Sequence, residues 1–166
     1  MILKMTEPGS TISDIINEIK TTNWRLFNGP QFYQANKVEP NLLQLINLTN
    51  ESDKGKVYND VLFALGNNHG GTFYPAVLKA LPIIIRLIKA TKSELVQNCA
   101  LEIITEWCCS FDPEMGTYNL MNSDQLKDFV SITVRDLLSN TRFDNSSRNR
   151  QLAEELLAYL DEKIGE

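Results

Sequence analysis

Apolar residues recur every three or four positions through most of the chain, and no stretch alternates apolar and polar residues between turn signals as a strand would. The pattern predicts an all-α protein without strands. Ile12, Ile15, Ile16 and Ile19 form the first stripe, with Ser10 or Thr11 positioned to cap it and Asp14 in its first turn. Residues 24–36 then mix Trp24, Phe27, Phe32 and Tyr33 with Asn28-Gly29-Pro30, which predicts aromatic packing around a turn flanked by short helices.

A second helix is expected to open at Pro40, carry Leu42, Leu43, Leu45, Ile46 and Leu48, and end in Asn50-Glu51-Ser52-Asp53. A third spans about Val57 to Asn67, stopped by Gly66-Asn67, and a fourth opens at Pro75. That fourth helix bears Val77, Leu78, Leu81, Ile84, Ile85 and Ile88, so it should be central, and Pro82 inside it should kink it. The fifth follows Ser93 through Leu95, Val96, Cys99, Ile103, Ile104 and Trp107, stopping before Asp112-Pro113.

Ser123 is expected to cap a helix holding Leu126, Phe129, Val130, Thr133, Val134, Leu137 and Leu138. A last helix after Ser146-Ser147 turns Leu152, Ala153, Leu156, Leu157, Leu160 and Ile164 inward and Glu154, Glu155, Asp161 and Glu162 outward. Helix pairs recurring at about 40 residues match stacked two-helix repeats of the HEAT type, with an irregular bundle as the other arrangement of the same helices. One domain is expected over 1–166, with N-terminal helices in 1–50 and helix pairs in 51–166.

Composition narrows the function. The 21 acidic against 16 basic residues give a net charge of −5, the wrong sign for a protein that neutralises nucleic-acid phosphates or anionic lipid, so a basic partner is expected, with no nucleic acid and no membrane. Arg135, Arg142, Arg148 and Arg150 cluster but lie among Asp136, Asp144 and Glu154, which predicts local ion pairs. Met1–Pro8 lacks the apolar run of a secretory signal, and Ala80–Ile85 stops at Arg86, far short of the roughly 18 residues a membrane span requires. The three cysteines, Cys99, Cys108 and Cys109, form no C-x-x-C pair, and Cys99 and Cys108 sit on apolar positions of a helix. Reduced thiols in a cytoplasmic protein are the expectation.

Little in the sequence points to catalysis. Gly66-Asn67-Asn68-His69-Gly70-Gly71-Thr72 echoes a phosphate loop, but Thr72 stands where the lysine belongs and the string follows a helix. A hydrolase would need a G-x-S-x-G elbow, which is absent, and the single histidine cannot supply a paired zinc motif. His69, Gly70 and Gly71 are therefore read as a turn, with Thr72 capping the helix that opens at Pro75. No cofactor and no metal are expected.

The carboxylates are better placed for binding. Glu94, Glu102 and Glu106 share one helical face with Asn98, and Asp112 and Glu114 extend the acidity into the next loop. With Trp107 and Tyr118 as aromatic anchors, this face is read as a docking surface for a cationic partner.

One segment is more particular. A helix ending in Phe63-Ala64-Leu65 is followed by His69-Gly70-Gly71-Thr72, then Tyr74-Pro75-Ala76, then Ala80-Leu81-Pro82. Over about residues 57–113 this resembles small bacterial HEAT-like proteins, among them immunity proteins of polymorphic toxin and contact-dependent growth inhibition systems. The chain departs from that family at Gly70, where the relatives more often carry Gln. The resemblance implies a short right-handed αα superhelix of about seven or eight helices. It also implies a non-enzymatic role: 1:1 occlusion of a cognate toxin C-terminal domain, in many such systems a nuclease with a cationic cleft. A HEAT-like interaction scaffold is the alternative, followed by a DNA glycosylase or a chromophore lyase of similar fold.

Overall fold

A computed structural model describes residues 9–165. The reading of Met1–Pro8 therefore lies outside the described residues. Seven α-helices account for most of them: α1 (Ile12–Thr21), α2 (Ala35–Ile46), α3 (Lys54–Ala64), α4 (Val77–Ala90), α5 (Glu94–Cys109), α6 (Ser123–Asn140) and α7 (Ser147–Ile164). The fold is all-α in class. It is organised as two helical layers, α1, α4 and α6 side by side in one and α3, α5 and α7 in the other, with α2 packed against α1 and α3. Cross-layer contacts join α4 to α5 and α6 to α7, giving stacked helix pairs. The pairs are not evenly spaced, because α2 and α3 both stand between α1 and α4.

Helix α4 is central, as its broad apolar surface requires. Ala80, Leu81, Ile84 and Ile88 are wholly buried, and the helix runs on through Pro82 without interruption. Helix α5 touches α2, α3, α4, α6 and α7, and buries Cys99, Leu101, Ile103, Ile104 and Trp107.

Several local expectations are corrected. Helix α2 begins at Ala35 rather than Pro40, because Val38, Leu42 and Leu45 form one buried stripe at helical spacing. Pro40 is tolerated inside it: the ring is exposed, and the carbonyl that loses its donor belongs to exposed Asn36. Asn122, one residue before Ser123, caps α6 through a reciprocal box with Gln125, and Thr11 caps α1 in the same way with Asp14. Pro75 precedes α4 by two residues, in a turn closed by Leu78 N–H donating to the Pro75 carbonyl. Ile164 at the end of α7 is 40% exposed rather than buried.

The expectation of no strands also fails. Three two-residue strands form a small sheet: β1 (Gly66–Asn67) and β2 (Thr72–Phe73) pair antiparallel, and β3 (Asp112–Pro113) joins β2 in parallel. Two residues are too few to display alternation, so periodicity had nothing to register. Thr72 is consequently a strand residue and not a helix cap; its hydroxyl donates to Glu114 Oε2 at 2.8 Å. The turn reading of His69-Gly70-Gly71 stands. Gly71 takes φ +67°, and Asn67 Oδ1 accepts the Gly70 N–H at 3.0 Å. Gly66 is required by proximity, since a Cβ there would lie 2.1 Å from the Thr72 carbonyl oxygen.

Candidate functional site

The acidic face of α5 is not free. Helix α3 packs along it, and two side chains from α3 engage the two carboxylates that α-helical spacing places one turn apart. Lys54 Nζ donates to Glu102 Oε1 at 2.8 Å, and Tyr58 Oη donates to Glu106 Oε1 at 2.6 Å. Burial together with the Glu106 carboxylate holds the Tyr58 phenol well above its ordinary range. The mutual repulsion of Glu102 and Glu106, like charges one turn apart, is thus offset inside the fold.

The remaining expected docking residues are dispersed. Trp107 is 1% exposed, so it is a core residue and not an anchor that a partner could reach. Glu114 accepts from Thr72 and thereby ties β3 to β2, while Asp112 is paired with Lys127 of α6. Tyr118 is half-buried against Phe27, ring centroids 6.5 Å apart, where the connector after β3 meets the turn after Phe27. Glu94 is exposed at the start of α5. These residues do not converge into one acidic docking patch, because four of their five carboxylates are used for internal bonds. His69, Gly70, Gly71 and Thr72 do stay together at the hairpin, with Pro75 just beyond it and Pro82 inside α4.

Two of the concave features among the described residues bear on binding. The larger, about 560 Å³, is a groove between α2, the C-terminal half of α3 and β1, walled by Phe32, Phe63, Tyr74, Lys37 and Asp60 among others. Phe32 is 66% and Phe63 43% exposed, unusual for large aromatic side chains in a chain with an otherwise filled core. His69 packs edge-on against Phe63 with centroids 4.9 Å apart, so the hairpin buttresses one wall. Tyr33 packs edge-on against Tyr74 and donates its hydroxyl to the Trp24 carbonyl at 2.7 Å, which anchors the aromatic turn beside the groove.

The second feature is a cleft of about 430 Å³ between α5 and α7, lined by Asn98, Glu102, Arg148, Gln151 and Glu155 with Ser147 and Leu152. One of its lining residues, Asn98, belongs to a run of hydrogen-bonded amides that joins α5 to α7. Gln97 Nε2 donates to the Ile88 carbonyl at 3.1 Å; Asn149 Nδ2 donates to Gln97 Oε1 at 2.9 Å and to the Glu94 carbonyl at 3.1 Å; Asn98 Nδ2 donates to Asn149 Oδ1 at 2.9 Å. Both asparagines are buried, Asn149 completely. The sequence reading missed this run, although Asn149 carried a signal: it continues the stripe of Ala153, Leu156 and Leu160 as the one polar member.

Among the described residues, no three His, Cys, Asp or Glu side chains gather as metal ligands, and no helix is long and apolar enough to cross a membrane. Burial pushes the Cys99 and Cys108 thiols up to about 12, while Cys109 is exposed. Arg135 pairs with Asp161 and Arg148 with Glu51, carboxylates distant in sequence rather than the neighbouring Asp136, Asp144 and Glu154 that the local ion pairs were expected to use.

No protein-family model, no curated protein and no solved structure matches this chain.

Proposed function

We propose that this protein binds another protein through the groove between α2 and α3, and that it acts as an immunity protein, neutralising a basic toxin domain by 1:1 occlusion. The observation that carries the binding role is the pair of exposed phenylalanines, Phe32 and Phe63, on the walls of a 560 Å³ groove. Solvent-exposed aromatic side chains beside a pocket, rimmed by polar groups such as Lys37, Asn41 and Asp60, have the make-up of an interface centre. The net charge of −5 supports a basic partner by long-range steering even though the α5 carboxylates are internally engaged. The immunity role itself rests on the resemblance over residues 57–113.

The test is co-purification with the toxin C-terminal domain encoded immediately upstream, followed by calorimetric titration. A 1:1 complex of nanomolar affinity, weakened about thirtyfold or more by Phe63→Ala, supports both the role and the groove, the loss being that of a central interface aromatic. Absence of a complex with folded protein removes the immunity reading, and several weak partners in place of one tight one would favour a scaffold.

A further inference from the structure

We propose that the cleft between α5 and α7 receives the guanidinium of an arginine side chain presented by the partner protein; the assignment of a protein partner rests on the function proposed above. The amide run fixes the chemistry. The Ile88 and Glu94 carbonyls can only accept, so Gln97 and Asn149 must each turn their NH₂ toward them. Asn149 then presents Oδ1 to Asn98, and Asn98 must answer with its Nδ2. The orientation of every amide is determined in sequence, and the run ends on Asn98 Oδ1, an acceptor with no hydrogen-bond partner among the described residues on a side chain only 2% exposed.

A buried acceptor left unpaired is costly, and its complement is a donor. The carboxylates around it set the charge of that donor. Glu102 lies one turn beyond Asn98 on α5 and accepts from Lys54 at Oε1 only, while Glu155 lines the cleft from α7 and accepts from Gln151 Nε2 at Oε1, 3.0 Å away. Arg148, the basic residue on the cleft wall, is directed to Glu51 at 3.3 Å. Among the described residues three acceptors therefore remain: an amide oxygen and one oxygen from each of two carboxylates. A guanidinium, planar and with five donors, can serve acceptors in several directions at once, and Leu152 on the wall offers an apolar surface for the side-chain stem.

Helix α3 touches both features: Lys54 at its first turn holds Glu102 of the cleft, and Phe63 near its end walls the groove.

The experiment titrates the ¹⁵N-labelled full chain with N-acetyl-arginine amide and with its neutral citrulline analogue, following the side-chain amide signals of Asn98 and Gln151. The expected result is saturable displacement of both signals by the arginine compound and none by citrulline. Glu155→Gln, an exposed position, should weaken the response about threefold, the size of one solvent-accessible ion pair, and Glu155→Lys should abolish it. No saturable displacement, an equal response to citrulline, or a response that survives Glu155→Lys overturns the assignment. Because no toxin domain is used, the two readings fail separately. An arginine response without an upstream-domain complex keeps the cleft and removes the immunity role; a tight complex indifferent to Glu155→Lys, with no arginine response, removes the cleft alone.

Discussion

Truncating Asn149 to alanine should destabilise the protein more than any other single change to its polar groups. The side chain is fully buried and makes three hydrogen bonds, accepting from Asn98 and donating to Gln97 and to the Glu94 carbonyl. Removing it strands Asn98 Nδ2 at a 2% exposed side chain, and leaves Gln97 Oε1 and the Glu94 carbonyl without that donor. A stranded buried group costs about 1–3 kcal/mol, with the upper part of that range for Asn98 and the lower part for the two acceptors nearer water. The sum for Asn149→Ala is about 4–5 kcal/mol, or roughly 10–15 °C in Tm for a chain of this size. Asn98→Ala strands only Asn149 Oδ1 and simultaneously removes the unpaired Asn98 Oδ1, so it should cost about 1 kcal/mol. Because the double variant leaves neither Asn98 Nδ2 nor Asn149 Oδ1 stranded, it should fall short of the summed single losses by about 3 kcal/mol. Urea unfolding followed by far-ultraviolet circular dichroism measures all three. A loss below about 1 kcal/mol for Asn149→Ala, or a larger loss for Asn98→Ala, would refute the directional amide run.

Three other outcomes are expected. Burial raises the Glu18 carboxyl, but hydrogen bonds from Lys79 and Arg86 outweigh it and hold the group below its ordinary value of 4.5. Its contribution is therefore present above that value and lost as pH falls through the depressed folded pKa, so the acid limb of the stability curve should flatten in Glu18→Gln and not in an exposed control such as Glu162→Gln. Toward a thiol dye at neutral pH, the folded protein should expose one slowly reacting cysteine, Cys109, whose own pKa is raised by burial, and all three after denaturation; prompt reaction of a second thiol in the folded state would contradict the burial of Cys99 and Cys108. Gly66→Ala should open the β1–β2 pairing, since its Cβ would meet the Thr72 carbonyl, whereas Gly55→Ala, with open space around the new Cβ, should be neutral or slightly stabilising; equal thermal stability of the two variants would argue against the close strand approach.

The sequence determined the helices, because burial on one side of a helix imposes a period that a single chain displays. The stripes of α1, α4, α5, α6 and α7 were legible in this way, and so were the turn at His69-Gly70-Gly71 and the buried thiols. Errors of a few residues arose where packing overrode a local signal: the buried stripe through Val38 carried the start of α2 back past Pro40 to Ala35, and a capping box with Gln125 moved the cap of α6 from Ser123 to Asn122. The candidate site was less legible, since a carboxylate on one helix does not reveal what another helix brings to it. Lys54 and Tyr58 lie 48 positions from Glu102 and Glu106, and Asn98 lies 51 from Asn149. Whether an acidic face is solvated, cancelled or used depends on such distant pairs, and so does the aromatic groove between α2 and α3. Periodicity reports which side of each helix avoids water; only the tertiary packing decides which side chains then meet.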